Sequence, residues 1–170
     1  MVITAHAVVG SLIACLFHKF ARVKINNFWL WAIVFVFAFF SHFLLDAIPH
    51  WDYSLERPDQ FSGLSRAVID CLIAGLLIIL SSRNLTKGFF GLWQCRILFW
   101  GAWAAILPDA IIYITKHLGM QTFLFLNFFK FHEGMHSSAR PNLSYGGPIQ
   151  IVIVIIACGL LWELYRKGGE

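Results

Sequence analysis

Charge is scarce in this chain. Asp, Glu, Lys and Arg make up 13% of its 170 residues, where a soluble domain carries about 25%. That is too little to clothe an ordinary water-soluble globule. Cysteine is also sparse, with Cys15, Cys71, Cys95 and Cys158 showing no CxxC spacing and three of them inside apolar runs. This excludes a disulfide scaffold and a zinc ribbon, and the four read as free thiols. There is no internal repeat, no low-complexity tract and no flexible linker, so residues 1–170 are expected to form a single transmembrane domain.

What the chain has instead is apolar and aromatic material, 59% and 16% of its residues, gathered in long runs. Long runs are the signature of membrane spans. Five are expected, each near the roughly 20 residues needed to cross a bilayer. They run from about Val2 to Phe20, Phe28 to Ile48, Leu64 to Ser82, Leu92 to Ile114 and Pro148 to Tyr165. The first lacks a basic leader and an A-x-A site, so a retained helix is expected rather than a removed signal. Pro49 stops the second. Pro108 is a candidate kink in the fourth, and Pro148 suits the first turn of the fifth. The aromatic stretch FLFLNFFKFHEGMH is short and interrupted, and reads as an interfacial or re-entrant helix. The fold class expected is an all-α integral membrane protein.

The net charge is +4 and the pI about 9.0, a balance that elsewhere points to nucleic acid. Here Lys and Arg stand mostly between apolar runs, so they read as topology signals, and no nucleic-acid partner is expected. Lys19, Arg22, Lys24, Arg83, Lys87, Arg96, Arg166 and Lys167 fall on one side. Arg57, Arg66, Lys116, Lys130 and Arg140 fall on the other, over longer loops that also hold most of the acids. The expected location is a bacterial inner membrane, with the N-terminus outside and the C-terminus in the cytoplasm.

Against this apolar background stand His6, His42, Asp46, Asp70, Asp109 and His136. Ionisable groups in lipid are costly and usually line a working cavity. On the expected topology they all fall toward the outer face, with His50, Asp52 and His132 beside them. His and Asp are also the donors that zinc and similar ions take.

The strongest local pattern is SHFLLDAIPHWD, Ser41 to Asp52. His42 and Asp46 are four apart and share a helix face. Both can hold one ion, or the carboxylate can orient the imidazole. Beyond Pro49, His50 and Asp52 can fold back to the same place. A second pattern, HEGMHSS from His132, matches H-E-x-x-H, in which two His bind zinc and Glu is the base. Gly134 is unfavourable for the helix that pattern needs. His6 is a lone imidazole on an apolar helix, for which a hydrogen-bonded core residue is the plain alternative. Asp70 follows Arg66 by four, so an ion pair competes with a ligand role. Asp109 follows Pro108 at a helix break. Arg140, near Ser137, Ser138, Asn142 and Ser144, suits a phosphate group or an ordinary polar loop. His18 and His117 read as interfacial, and the tryptophans as belt residues.

The order AHAVVG, SHFLLDAIPHWD, LPDA and FHEGMHS resembles the LexA-regulated family of small bacterial inner-membrane, metal-dependent hydrolases. The resemblance extends over most of the chain through few residues. The family's late motif is closer to HRGxTHS, whereas this chain has a shorter His–His spacing and Glu133 in place of Arg. The H-x-x-x-D element is also similar to one in zinc-dependent phospholipases C, which implies a phosphoester substrate.

The expectation is therefore an enzyme, a metal-dependent hydrolase of a lipid ester, with a phosphoester favoured, at the extracytoplasmic face. One or two ions, zinc or else manganese, would polarise a phosphoryl or carbonyl oxygen and acidify bound water. His42, Asp46, His50 and His136 are the expected core ligands. His6, Asp70, Asp109 and His132 complete the candidate set, Glu133 or Asp52 serves acid–base chemistry, and Arg140 meets substrate phosphate. An intramembrane metalloprotease built on His132, Glu133 and His136 is the first alternative. A divalent-ion transporter is the second, though the cytoplasmic halves offer few polar residues for a path. A structural or regulatory protein without metal is the third. The oligomeric state is left open.

Overall fold

Apolar runs this long can satisfy their backbone hydrogen bonds internally only as helices when water is scarce. The computed structural model describes residues 3–21, 26–50, 60–82, 92–117, 123–137 and 143–166. Among these the chain forms six helices and no strand: α1 (Ile3–Ala21), α2 (Asn27–Asp46), α3 (Gln60–Ser81), α4 (Leu92–His117), α5 (Phe123–Ser137) and α6 (Leu143–Arg166).

Local chemistry sets the ends. Asn26 is extended, and its side chain accepts a hydrogen bond from the Trp29 amide at 3.1 Å, capping α2. α2 stops at Asp46, slightly before the expected Ile48, because Pro49 disfavours helix at the residue before it. α6 begins at Leu143, earlier than expected, with Pro148 inside the helix. Pro108 also lies inside α4, where it removes the N–H that would bond the Ala104 carbonyl.

α1 is the central helix and packs against α2, α3, α4 and α6; α4 also covers α2, and α5 rests on α2 and α4. The tightest crossing is α1 on α4. A Cβ built on Gly10 would fall on the Gly101 carbonyl and 2.7 Å from the Ala105 Cβ; one on Gly101 would fall on the Gly10 carbonyl and 2.7 Å from the Ala14 Cβ. Small residues four apart on both helices permit this approach. Ser11 then donates across the gap to the Leu98 carbonyl at 3.0 Å.

The surface is apolar and part of the interior is polar. Leu44, Leu72, Ile151 and Ile155 are all more than 60% exposed, while His6, His42 and Asp46 are fully buried. That is the reverse of a soluble globule. Among the described residues, four helices are long and apolar enough to cross a membrane, through Ile3–Phe20, Asn27–Asp46, Arg96–Thr115 and Gly146–Arg166. They suggest a multi-pass membrane protein. α3 turns Val68, Ile69, Leu72, Ile73 and Leu76 outward as well.

Candidate metal centre

Four helices bring their polar residues to one end of the bundle. His6 comes from the first turns of α1, and His42 and Asp46 from the last turns of α2. Asp109 follows Pro108 in α4, and His132 lies near the end of α5. One donor atom each from His42, Asp46, Asp109 and His132 lies within 4.8 Å of all the others.

Five of the six donor separations lie near those of a coordination sphere. His42 Nε2 lies 2.9 Å from Asp46 Oδ2, 3.0 Å from His132 Nε2 and 3.5 Å from Asp109 Oδ1. His132 Nε2 lies 3.5 Å from Asp46 Oδ2 and 3.2 Å from Asp109 Oδ1. Donors at tetrahedral zinc distances stand roughly 3.3 Å apart, as follows from bonds of about 2.0–2.1 Å.

Hydrogen bonding is compatible with that use. His42 Nδ1 lies 2.8 Å from the Ala105 carbonyl oxygen. A carbonyl only accepts, so Nδ1 carries the proton and Nε2 is presented to the cluster. Ala105 belongs to the turn of α4 that Pro108 loosens. Two carboxylates and two imidazole nitrogens then converge where like-signed lone pairs repel. A divalent cation at their centre balances both carboxylates, so the donor set fits such an ion.

His6 stands beside the four. Its Nε2 lies 3.2 Å from Asp46 Oδ1, the carboxylate oxygen that turns away from the four-residue group. Its ring stacks on His42, with centroids 4.1 Å apart. His6 therefore braces both α2 donors. His132 is held by aromatic rings. Phe43 packs on Phe131 at 5.1 Å and Phe128 at 6.1 Å, joining α2 to α5, and both Phe43 and Phe128 lie against the His132 ring.

The other candidates fall elsewhere. Asp70 accepts from the Thr4 amide at 3.2 Å and from the Thr4 hydroxyl. Thr4 offers one of the first amides of α1, which lack partners within the helix, so the carboxylate caps α1 from α3. His50 is buried just past α2, with Nδ1 2.7 Å from the Ile48 carbonyl, and is not one of the four. Glu133 is exposed, although its neighbour His132 is buried. The H-E-x-x-H segment is helical despite Gly134. Asp52 and Arg140 lie outside the described residues, as does the side chain of His136.

Sequence reasoning did not find the Ala105 carbonyl, because a backbone acceptor leaves no residue signal. It also did not find the Gly10–Gly101 crossing, which aligns α4 with α1. The tryptophans are partly structural: Trp100 donates to the Trp31 carbonyl at 3.1 Å and stacks on Trp103. No protein-family profile, curated protein or solved structure shows a match to this chain.

Proposed function

We propose that this chain is a five-span membrane enzyme that hydrolyses a lipid ester, with a phosphoester favoured, using a divalent metal at the extracytoplasmic face of a bacterial inner membrane. The observation that carries the reading is the convergence of His42, Asp46, Asp109 and His132 at one end of an apolar bundle. Such donors are expensive in lipid, and a bound cation would offset that cost. The charges support the orientation, since Lys19 and Arg166 lie in the last turns of α1 and α6, at the end away from His6.

A divalent ion held by His42, Asp46, Asp109 and His132 would supply a Lewis acid for a phosphoryl or carbonyl oxygen. The chain's own residues do the rest. His42 is locked by Ala105 and His6, Asp46 is braced by His6, and His132 is wedged between phenylalanines. Preorganisation of this kind keeps donors aimed without rearrangement during reaction. The fifth span is α3, whose outward Leu72 and Leu76 suit lipid. α5 brings His132 to the site as an interfacial or re-entrant helix.

A transport path is disfavoured by what lies beneath. Ala14, Leu30, Val34 and Ile97 pack as a fully buried apolar layer through α1, α2 and α4. Peptide hydrolysis would draw its base from Glu133, but Asp109 is the acid beside His132.

The test is purified protein in lipid nanodiscs, supplied with zinc or manganese and a panel of long-chain phosphomonoesters and phosphodiesters. Metal-dependent release of product, abolished in Asp46→Ala, is the expected result. Metal-loaded protein inert toward every lipid ester would overturn the proposal.

A further inference from the structure

The four donors create a chemical conflict. Four protein ligands complete a tetrahedral ion, which is the closed arrangement of structural sites. Hydrolytic sites keep a position for substrate or water. For a four-coordinate ion, a donor that gives way would open the position that hydrolysis uses.

Exposure separates the four. The side chains of His42 and Asp46 are fully buried and that of His132 is 8% exposed, whereas that of Asp109 is 27% exposed. Support separates them too. His42 is fixed by the Ala105 carbonyl, Asp46 by His6, and His132 by the Phe43 and Phe128 rings. Asp109 sits at 3.2 and 3.5 Å from the two imidazoles, on the turn that Pro108 loosens.

Charge then fixes what can replace it. Asp46 and Asp109 together neutralise a divalent ion. Exchanging the Asp109 carboxylate for another anionic oxygen preserves that balance in a dry site. Exchanging it for a neutral oxygen leaves a buried positive charge, which is costly.

We propose that Asp109 is the exchangeable donor of this centre, and that the place it yields receives an anionic phosphoryl oxygen. The inference rests on the metal-site reading above. His42, Asp46 and His132 are the permanent ligands, and the site opens on the side where Asp109 reaches the protein surface. A phosphate on a lipid headgroup and free phosphate share this chemistry.

Cobalt(II) loaded into detergent-purified protein reports the test through its visible spectrum and its stoichiometry. The wild type is titrated with inorganic phosphate and, separately, with short-chain phosphatidic acid in the same micelles. A saturable spectral shift with either compound is expected, and a shift with phosphatidic acid alone would identify the headgroup as the source. Asp109→Ala and Asp109→Asn, checked for folding by size exclusion, are expected to bind cobalt more weakly, because one carboxylate is gone, but still to reach about one ion per chain at saturating cobalt. They should also bind phosphate about tenfold more tightly, since no carboxylate competes. His42→Ala should lose the ion. The proposal is overturned if both folded Asp109 variants lose the ion as fully as His42→Ala. It is also overturned if the wild-type spectrum ignores both compounds. A wild type that binds no cobalt contradicts the metal site itself, which is a separate failure.

Discussion

Gly10 and Gly101 meet backbone against backbone, each standing where the other helix leaves no room for a Cβ. The crossing sets the register of α4 against α1. Through α4 it sets where the Ala105 carbonyl and Asp109 meet the donors of α2. Helix packing and the candidate site are thus one structure.

Alanine at Gly10 or Gly101 should therefore force the helices apart. The expected cost is about 1–3 kcal/mol, as for other overpacked cores, read as a lower midpoint of thermal unfolding in detergent. Metal affinity should fall as well. Gly75 and Gly159 have open space around them. Alanine there should be neutral or stabilise by about 0.5–1 kcal/mol, because it restricts the unfolded chain. Equal effects at all four glycines would refute the crossing.

Asp70 is placed as the cap of α1, not among the four donors. Asp70→Asn should lower stability by about 1–2 kcal/mol through a weakened charged hydrogen bond. Thr4→Val should cost less, since the amide contact survives. Both should keep metal at the wild-type ratio, measured by elemental analysis, and loss of the ion from folded Asp70→Asn would move Asp70 into the coordination sphere.

His6 braces Asp46 and His42 from outside the four-donor group. His6→Ala should weaken metal binding about 10–100-fold, the usual effect of removing a group that orients a ligand. Excess metal should restore one ion per chain. Competition against a chelator of known affinity measures this directly. Affinity unchanged from wild type would remove His6 from the site.

Phe43 joins α2 to α5 and is almost fully buried. Phe43→Ala should leave a cavity beside His132, and the destabilisation expected from core truncations is about 3–5 kcal/mol. Phe43→Leu should recover most of it. Metal affinity should follow the same order, because His132 loses the ring against which it rests.

Much of this was legible in the chain. Charge-poor apolar runs located α1 to α4 within a few residues, and the spacing of His42 and Asp46 placed both on one face. The alternation of spans placed His6, Asp109 and His132 at the same end. What escaped depends on partners far apart in sequence. Gly10 with Ala14, and Gly101 with Ala105, are visible as small pairs, but nothing linear says that they face each other. Asp70 looked toward Arg66, its neighbour by helical spacing, while its contact with Thr4 needs α3 beside α1. Ranking His50 above His132 and Asp109 as a core ligand followed from motif density, while the side chain of His136 lies outside the described residues. The four-donor cluster instead draws His132 and Asp109 in from α5 and α4.

The most direct test of the central claim is metal content. Detergent-purified wild-type protein, loaded with zinc and then desalted, should hold close to one ion per chain by elemental analysis. His42→Ala, Asp46→Ala and His132→Ala should each lose it while still folding. Wild-type protein without bound metal after loading with zinc or manganese would contradict the account, and would leave these residues as a hydrogen-bonded cluster inside an apolar bundle.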